Sequence, residues 1–257
     1  MKILVSNDDG YQARGVHELI GFLKEFGEVI AVCPDGPRSG QSMALTFENP
    51  LRMSECQPPF DGTKLYKVSG TPVDCVKLSL QTLFKGEKPD LIVAGINHGS
   101  NSAVNVLYSG TMGAVFEGCT IGVPSVGFSL TTHSKDADFS FCKKFVKEII
   151  AHTLQNGLPE GVCLNVNIPD NCEPKGMMLT RSCRGHWTEE YKRYVDPNGR
   201  DFYWLTGHFI NEEPEATDTD EWALNHDFVS VTPTSIYRDI HFDELPEWII
   251  NNIGNKN

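Results

Sequence analysis

At 257 residues the chain is long enough for one large domain, or a domain with an appendage, and a core of that size needs no disulfide or structural metal to hold it. Its 34 acidic and 22 basic residues leave a formal charge of −12, which repels polyanions and argues against a nucleic-acid polymer as partner. A bound cation can still reverse the field locally for a small phosphorylated molecule. Eight cysteines contain no Cys-x-x-Cys pair, which argues against a zinc ribbon.

The first segment, Lys2 to Ser6, reads as a buried strand, followed by the turn Asn7-Asp8-Asp9-Gly10. Val16, Leu19, Ile20, Leu23 and Phe26 then fall at helical spacing, predicting a helix near 14–26. Glu28 to Cys33 is a second apolar strand, ended by Pro34, and Asp35 to Gly40 is a turn-rich loop. Segments near 43–47, 51–54 and 65–68 read as short antiparallel strands. Pro72 opens a helix with Thr71 as its N-cap and an apolar face of Val73, Val76, Leu80 and Leu83. Asp90 to Ala94 is a buried strand running into the polar loop from Gly95 to Asn101. Ser109-Gly110-Thr111 opens another helix, Pro124 to Ser129 is a strand, 138–154 an amphipathic helix and Val162 to Asn167 a further strand.

Alternating strands and helices of this kind imply βαβ units and an α/β fold with a mainly parallel sheet flanked by helices. After about residue 176 the pattern changes. The aromatic-rich stretch 183–209, with Pro197-Asn198-Gly199 near its middle, reads as a long β-hairpin arm. Phe228 to Thr232 returns as a strand, 211–221 as a solvated acidic loop, and Trp248 to Ile250 as the close of a final helix. We therefore expect a core over 1–175 and a carboxyl-terminal arm over 176–257 that rejoins the core near 228–233. The amino terminus runs directly into a strand and no apolar run spans a bilayer, so a cytoplasmic protein with buried free thiols is expected.

Chemistry is concentrated in the loops. Asp8 and Asp9 lie just past a strand end, where an open parallel sheet binds its ligands, and their convergence favours a cation between them. The competing reading is that Asp9-Gly10 is only a turn. Ser39 and Gly40, the Asn97 to Asn101 loop, and Ser109 to Thr111 follow other strands or open helices. Each also has a local reading, as a turn, a backbone cap or a helix N-cap. Pooled, they give two carboxylates, a hydroxyl and an amide carbonyl, an all-oxygen set suited to Mg²⁺, Mn²⁺ or Ca²⁺. The helix end at 109–111 favours an anion. Neither a Walker A nor a dinucleotide fingerprint is present.

Asn7-Asp8-Asp9-Gly10, the loop around Ser39, Gly70-Thr71-Pro72-x-Asp74, Gly95-Ile96-Asn97-x-Gly99-x-Asn101, and Tyr108-Ser109-Gly110-Thr111 together resemble the SurE family of survival-protein-E acid phosphatases. Asp220-x-Trp222-Ala223 and Val229 to Pro233 are similar to its carboxyl-terminal signatures. The resemblance implies a Rossmann-like catalytic core over 1–175, an arm and oligomerisation region over 176–257, and a nucleotidase acting on nucleoside 5′-monophosphates, extending to 3′-monophosphates and short polyphosphate. It implies one divalent cation per subunit, Mg²⁺ or Mn²⁺ with Ca²⁺ able to substitute, held by Asp8, Asp9, Ser39 and Asn97. Asp8 and Asp9 are the implied catalytic residues, and Asn97, Ser109, Gly110, Thr111, Asn101 and Gly40 the implied phosphate contacts. Homodimers or homotetramers formed partly through the arm are implied as well. His98 reads as a packing or surface histidine rather than a general acid. Signalling receivers also carry two acids after the first strand. They need a Lys soon after a late strand, and here Lys135 falls out of register.

Overall fold

A computed structural model describes residues 1–134, 136–170, 172–237 and 239. Its centre is a nine-stranded sheet. Strands β1 (Lys2–Ser6), β2 (Glu28–Pro34), β3 (Met53–Cys56), β4 (Lys64–Val68) and β5 (Leu91–His98) form one half. The other half comprises β6 (Ser125–Leu130), β7 (Val162–Ile168), β8 (Met177–Leu179) and β13 (Val229–Ser235). The order across the sheet is β3-β4-β2-β1-β5-β6-β7-β13-β8. The six central strands, from β4 to β7, run parallel, whereas β3 at one edge is antiparallel to β4, and β13 is antiparallel to β7 and parallel to β8 at the other edge.

Strand alternation divides the core into two layers. Ile3 and Val5 face α1 (Arg14–Leu23) and α4 (Cys142–Asn156), packing with Leu19, Ile20, Phe145 and Ile149. Leu4, on the opposite face, packs with Val76, Met112, Val115 and Phe116 of α2 (Pro72–Thr82) and α3 (Gly110–Thr120). Helix α2 begins as its sequence requires. Thr71 Oγ1 accepts the Asp74 N–H at 3.1 Å, Asp74 Oδ2 accepts the Thr71 N–H at 2.9 Å, and Pro72 occupies the first turn.

Three expectations change. Residues 43–47 form a loop, because the capping box captures them. Thr71 Oγ1 donates to the Ala44 carbonyl at 2.6 Å, and Asp74 accepts both Thr46 Oγ1 at 2.6 Å and Thr46 N–H at 3.2 Å. Of the remaining short strands only the β3–β4 pair is antiparallel, and β4 joins β2 in parallel. Helix α4 starts at Cys142 rather than 138, since the Asp138 carboxylate accepts the Ser140 N–H and hydroxyl in a local turn. The expected helix near Trp248 lies outside the described residues, as does Lys135.

The arm is two antiparallel ladders in succession. β9 (Gly185–Thr188) pairs with β12 (His208–Asn211), and β10 (Tyr191–Val195) with β11 (Asp201–Leu205). Asp196 closes the far turn by accepting the Asn198 and Arg200 N–H groups. All eight cysteines are free, with Cys33, Cys75, Cys142 and Cys163 buried. No described helix is long and apolar enough to cross a membrane.

Candidate active site

The chain builds outward from β1 to β2 and β4, then returns to lay β5 on the other side of β1. Loops leaving β1 and β5 diverge at that reversal, opening a crevice at the carboxyl ends of the strands. Asp8 and Asp9 follow β1, and Asn97 sits at the end of β5.

Each acid is tied to a different element. Asn7 Nδ2 donates to the Gly10 carbonyl at 2.9 Å and closes the turn, while the Arg38 N–H donates to the Asp8 carbonyl at 2.6 Å and joins it to the loop after β2. Thr111 Oγ1, in the first turn of α3, donates to Asp8 Oδ1 at 2.6 Å. A Cβ at Gly110 would stand 2.8 Å from Asp8 Cβ and 2.9 Å from Oδ2, so only glycine lets the helix approach this closely. Asp9 Oδ2 accepts the His98 N–H at 3.2 Å. In β5 the register shifts between Ala94 and Asn97, a bulge that re-aims the side chain that follows it. Asn97 Nδ2 donates to the Gly99 carbonyl at 2.8 Å, and its Oδ1 accepts no hydrogen bond among the described residues.

Burial pushes the Asp8 carboxyl from 3.8 up to about 6. The Thr111 hydroxyl and backbone N–H pull it down, and the neighbouring Asp9 charge adds to the rise. Asp9 is also raised by burial, offset by the His98 N–H and the nearby His98 and His133 rings. Two enclosed carboxylates with so few donors favour added positive charge. Asp8, Asp9, Ser39 and Asn97 carry oxygen donors of the kind a hard divalent cation takes, and Asp8, Ser39 and Asn97 line one cleft while Asp9 does not. Among the described residues no three His, Cys, Asp or Glu side chains gather as a metal cluster, so the neutral oxygens of Ser39 and Asn97 would have to complete the set.

A cleft of about 640 Å³, a size that accepts small ligands, opens from this point. Asp8, Ser39, Gly40, Asn97, Asn101 and Ser109 all line it. Ser109 Oγ accepts the Met112 N–H at 3.0 Å as the α3 N-cap, which leaves its own proton available to donate. Thr111 is wholly buried, with its hydroxyl spent on Asp8, and Gly110 packs on Asp8 from the same side. Neither of these two is among the cleft-lining residues, so the structure places them as the support of Asp8. Asn101 is partly a clamp, with Nδ2 donating to Ser129 Oγ at 2.8 Å. His98 lines the cleft with its ring edge-on to Phe139.

The sequence reading gave no role to several other residues that line the cleft. His133, Tyr108, Trp187 and Glu221 come from separate loops, the arm and helix α5 (Asp220–Asn225). Trp187 Nε1 donates to Asn105 Oδ1 at 2.8 Å, which fixes the indole against the short helix Ala103–Leu107. Asp220, expected in a solvated loop, is fully buried and accepts the Ala103 and Cys183 N–H groups, each at 2.8 Å. The clue available in sequence was Thr219-Asp220-Glu221, an N-cap followed by acids in the first helical turn.

An open, mainly parallel α/β sheet with paired acids and a polar cleft at its switch point defines a Rossmann-like protein with a ligand site at the strand ends. The model of the family described as Survival protein SurE matches residues 3–189, and the chain belongs to that family. It is 50% identical over 248 residues to the 5′-nucleotidase SurE of Phocaeicola vulgatus, covering 96% of both chains. It is 48% identical over 248 residues to that of Bacteroides fragilis, again covering 96% of both. The crystal structure of the SurE protein from Aquifex aeolicus superposes with a TM-score of 0.82 at 35% identity, covering 98% of this chain and 99% of that one.

Proposed function

We propose that the chain is a 5′-nucleotidase that hydrolyses nucleoside 5′-monophosphates to nucleoside and phosphate, with one Mg²⁺ or Mn²⁺ held by Asp8, Asp9, Ser39 and Asn97. The observation carrying this reading is that Asp8, Ser39 and Asn97 line one cleft at the switch point, large enough for a mononucleotide, with Asp9 next to Asp8 and tied to the end of β5 by the His98 N–H. A divalent cation bound there polarises a phosphoryl oxygen and acidifies water. Ser109 donates its hydroxyl proton to the phosphate, and Gly40, Asn97 and Asn101 border it. Thr111 and Gly110 act through Asp8, holding its carboxylate in place. The proton of the attacking water passes to one of the two carboxylates, and no phospho-aspartyl intermediate is required. The ribose and base extend toward Tyr108 and Trp187. The same site accepts 3′-monophosphates and short polyphosphate. The eight free thiols support action in the reducing cytoplasm, and the exposed arm supports a homodimer or homotetramer.

Phosphate release from AMP and GMP tests the reading. We expect multiple turnover with Mn²⁺ or Mg²⁺, loss of release in chelator and recovery on adding the metal back. Nucleotide binding without release would mark a non-catalytic binding protein, and turnover indifferent to chelator would remove the cation from the reaction.

A further inference from the structure

Besides Asp8, the cleft is lined by an acid that the reaction above does not use. Glu221 follows the buried Asp220 in the first turn of α5, and its backbone N–H is held by Asp220 Oδ1 at 2.9 Å. Glu221 Oε1 accepts a hydrogen bond from the Ser102 hydroxyl, and Ser102 Oγ also lies 2.6 Å from Ser100 Oγ. Its Oε2 accepts no hydrogen bond among the described residues, and the side chain lines the cleft. Burial raises its carboxyl while the Ser102 hydroxyl lowers it, so the group is short of donors.

Its position follows from the loop it touches. Asn97 stands at the proposed cation end, and Asn105, eight residues on, holds the Trp187 indole at the aromatic end. Ser102 lies between them in the chain, and Glu221, which accepts a hydrogen bond from its hydroxyl, borders the same cleft. A phosphate would be repelled by a carboxylate there. A flat base belongs with the aromatic side chains beyond it. The ribose joins phosphate to base, and its vicinal hydroxyls are the donors an open carboxylate oxygen accepts.

Building on the nucleotidase reading, we infer that Glu221 is a specificity-determining residue that accepts the 2′- and 3′-hydroxyls of the substrate ribose and so favours ribonucleotides over 2′-deoxyribonucleotides. Losing one charge-assisted hydrogen bond in a site built to receive it corresponds to roughly ten-fold or more in kcat/KM. The test measures phosphate release with Mn²⁺ from AMP and 2′-deoxyAMP by the native chain, Glu221→Ala and Glu221→Gln. The native chain should favour AMP by roughly ten-fold or more, and Glu221→Ala should bring the ratio close to one. Glu221→Gln keeps a carbonyl for Ser102, which guards against a folding defect in the alanine variant, and should give an intermediate ratio. A native ratio near one, or variants that slow both substrates equally with the ratio intact, would overturn the ribose reading alone. No release from either nucleotide by the native chain would overturn the nucleotidase reading and this one with it.

Discussion

At Asp8 the fold encloses a carboxyl group, 3% exposed, beside a second one, and helix α3 supplies one hydroxyl and one backbone N–H in compensation. Its pKa rises from 3.8 to about 6 as a result. A carboxyl that binds its proton more tightly folded than unfolded favours folding below 3.8, and that advantage is lost as pH climbs through about 6. At neutral pH the metal-free protein is therefore less stable on account of this residue, by at most about 3 kcal/mol. Asp8→Asn removes the charge while keeping an oxygen for the Thr111 hydroxyl. We expect urea denaturation in chelator to show the variant level with the native chain near pH 3 and more stable by about 1–3 kcal/mol at pH 7.5. Phosphate release should fall by at least about 10²-fold, and Mn²⁺ should stabilise the native chain but not the variant. A variant less stable at pH 7.5 with near-native turnover would refute the role given to Asp8.

At the scale of elements, the cleft loop is held by an amide ladder at the carboxyl ends of β6 and β7. Asn167 Oδ1 accepts the Asn101 N–H at 2.7 Å, Asn165 Nδ2 donates to the Asn101 carbonyl at 2.8 Å, and both asparagines are fully buried. Asn167→Leu keeps the volume but strands the Asn101 N–H and the Asn165 Oδ1, which accepts from Asn167 Nδ2 at 3.2 Å, away from water. Each orphan costs about 1–3 kcal/mol, so a loss of about 2–4 kcal/mol is expected in denaturant melts, together with a raised KM as the 97–102 loop loosens. A change under about 0.5 kcal/mol would show that the ladder does not anchor the loop. The sequence announces elements whose cause is local. The Thr71-Pro72-x-Asp74 start of α2 and the alternation of Ile3, Leu4 and Val5 are legible because neighbours in the chain decide them. Residues 43–47 mislead because Met43, Leu45 and Phe47 alternate like a strand while distant Thr71 and Asp74 set their path. The site divides the same way. Asp8 and Asp9 are adjacent and follow a strand, so they are visible. Glu221 and Trp187 reach the cleft from far along the chain through Ser102 and Asn105, and no periodicity records that.

On the scale of the whole molecule, the arm was recognisable from its aromatic content and its Pro-Asn-Gly turn, but its surroundings were not. The β10–β11 ladder stands apart from the nine-stranded sheet, with Tyr191 at 69%, Trp204 at 63% and Tyr203 at 58% exposure. A lone two-stranded ribbon is at best marginally stable in water, and a cluster of exposed aromatics marks a surface that another surface covers. Arg193 reaches Asp201 at 2.7 Å and Tyr194 stacks on Phe202 at 5.6 Å between centroids, but exposed contacts of this kind hold a hairpin only weakly. A second copy of the chain is the partner consistent with the homodimer or homotetramer proposed above. The arm also carries Trp187 and Leu205 to the cleft, so docking the arm would steady one wall of the site. Tyr203→Lys combined with Trp204→Lys leaves the cleft residues in place and puts two charges on the ribbon. Sedimentation at micromolar protein should show the native chain as a dimer or tetramer and the double variant as a smaller species. The variant's KM for AMP should rise several-fold while phosphate release persists, since the acids at the switch point are untouched. A native chain that sediments as a monomer would leave the ribbon's aromatics without the partner assigned to them.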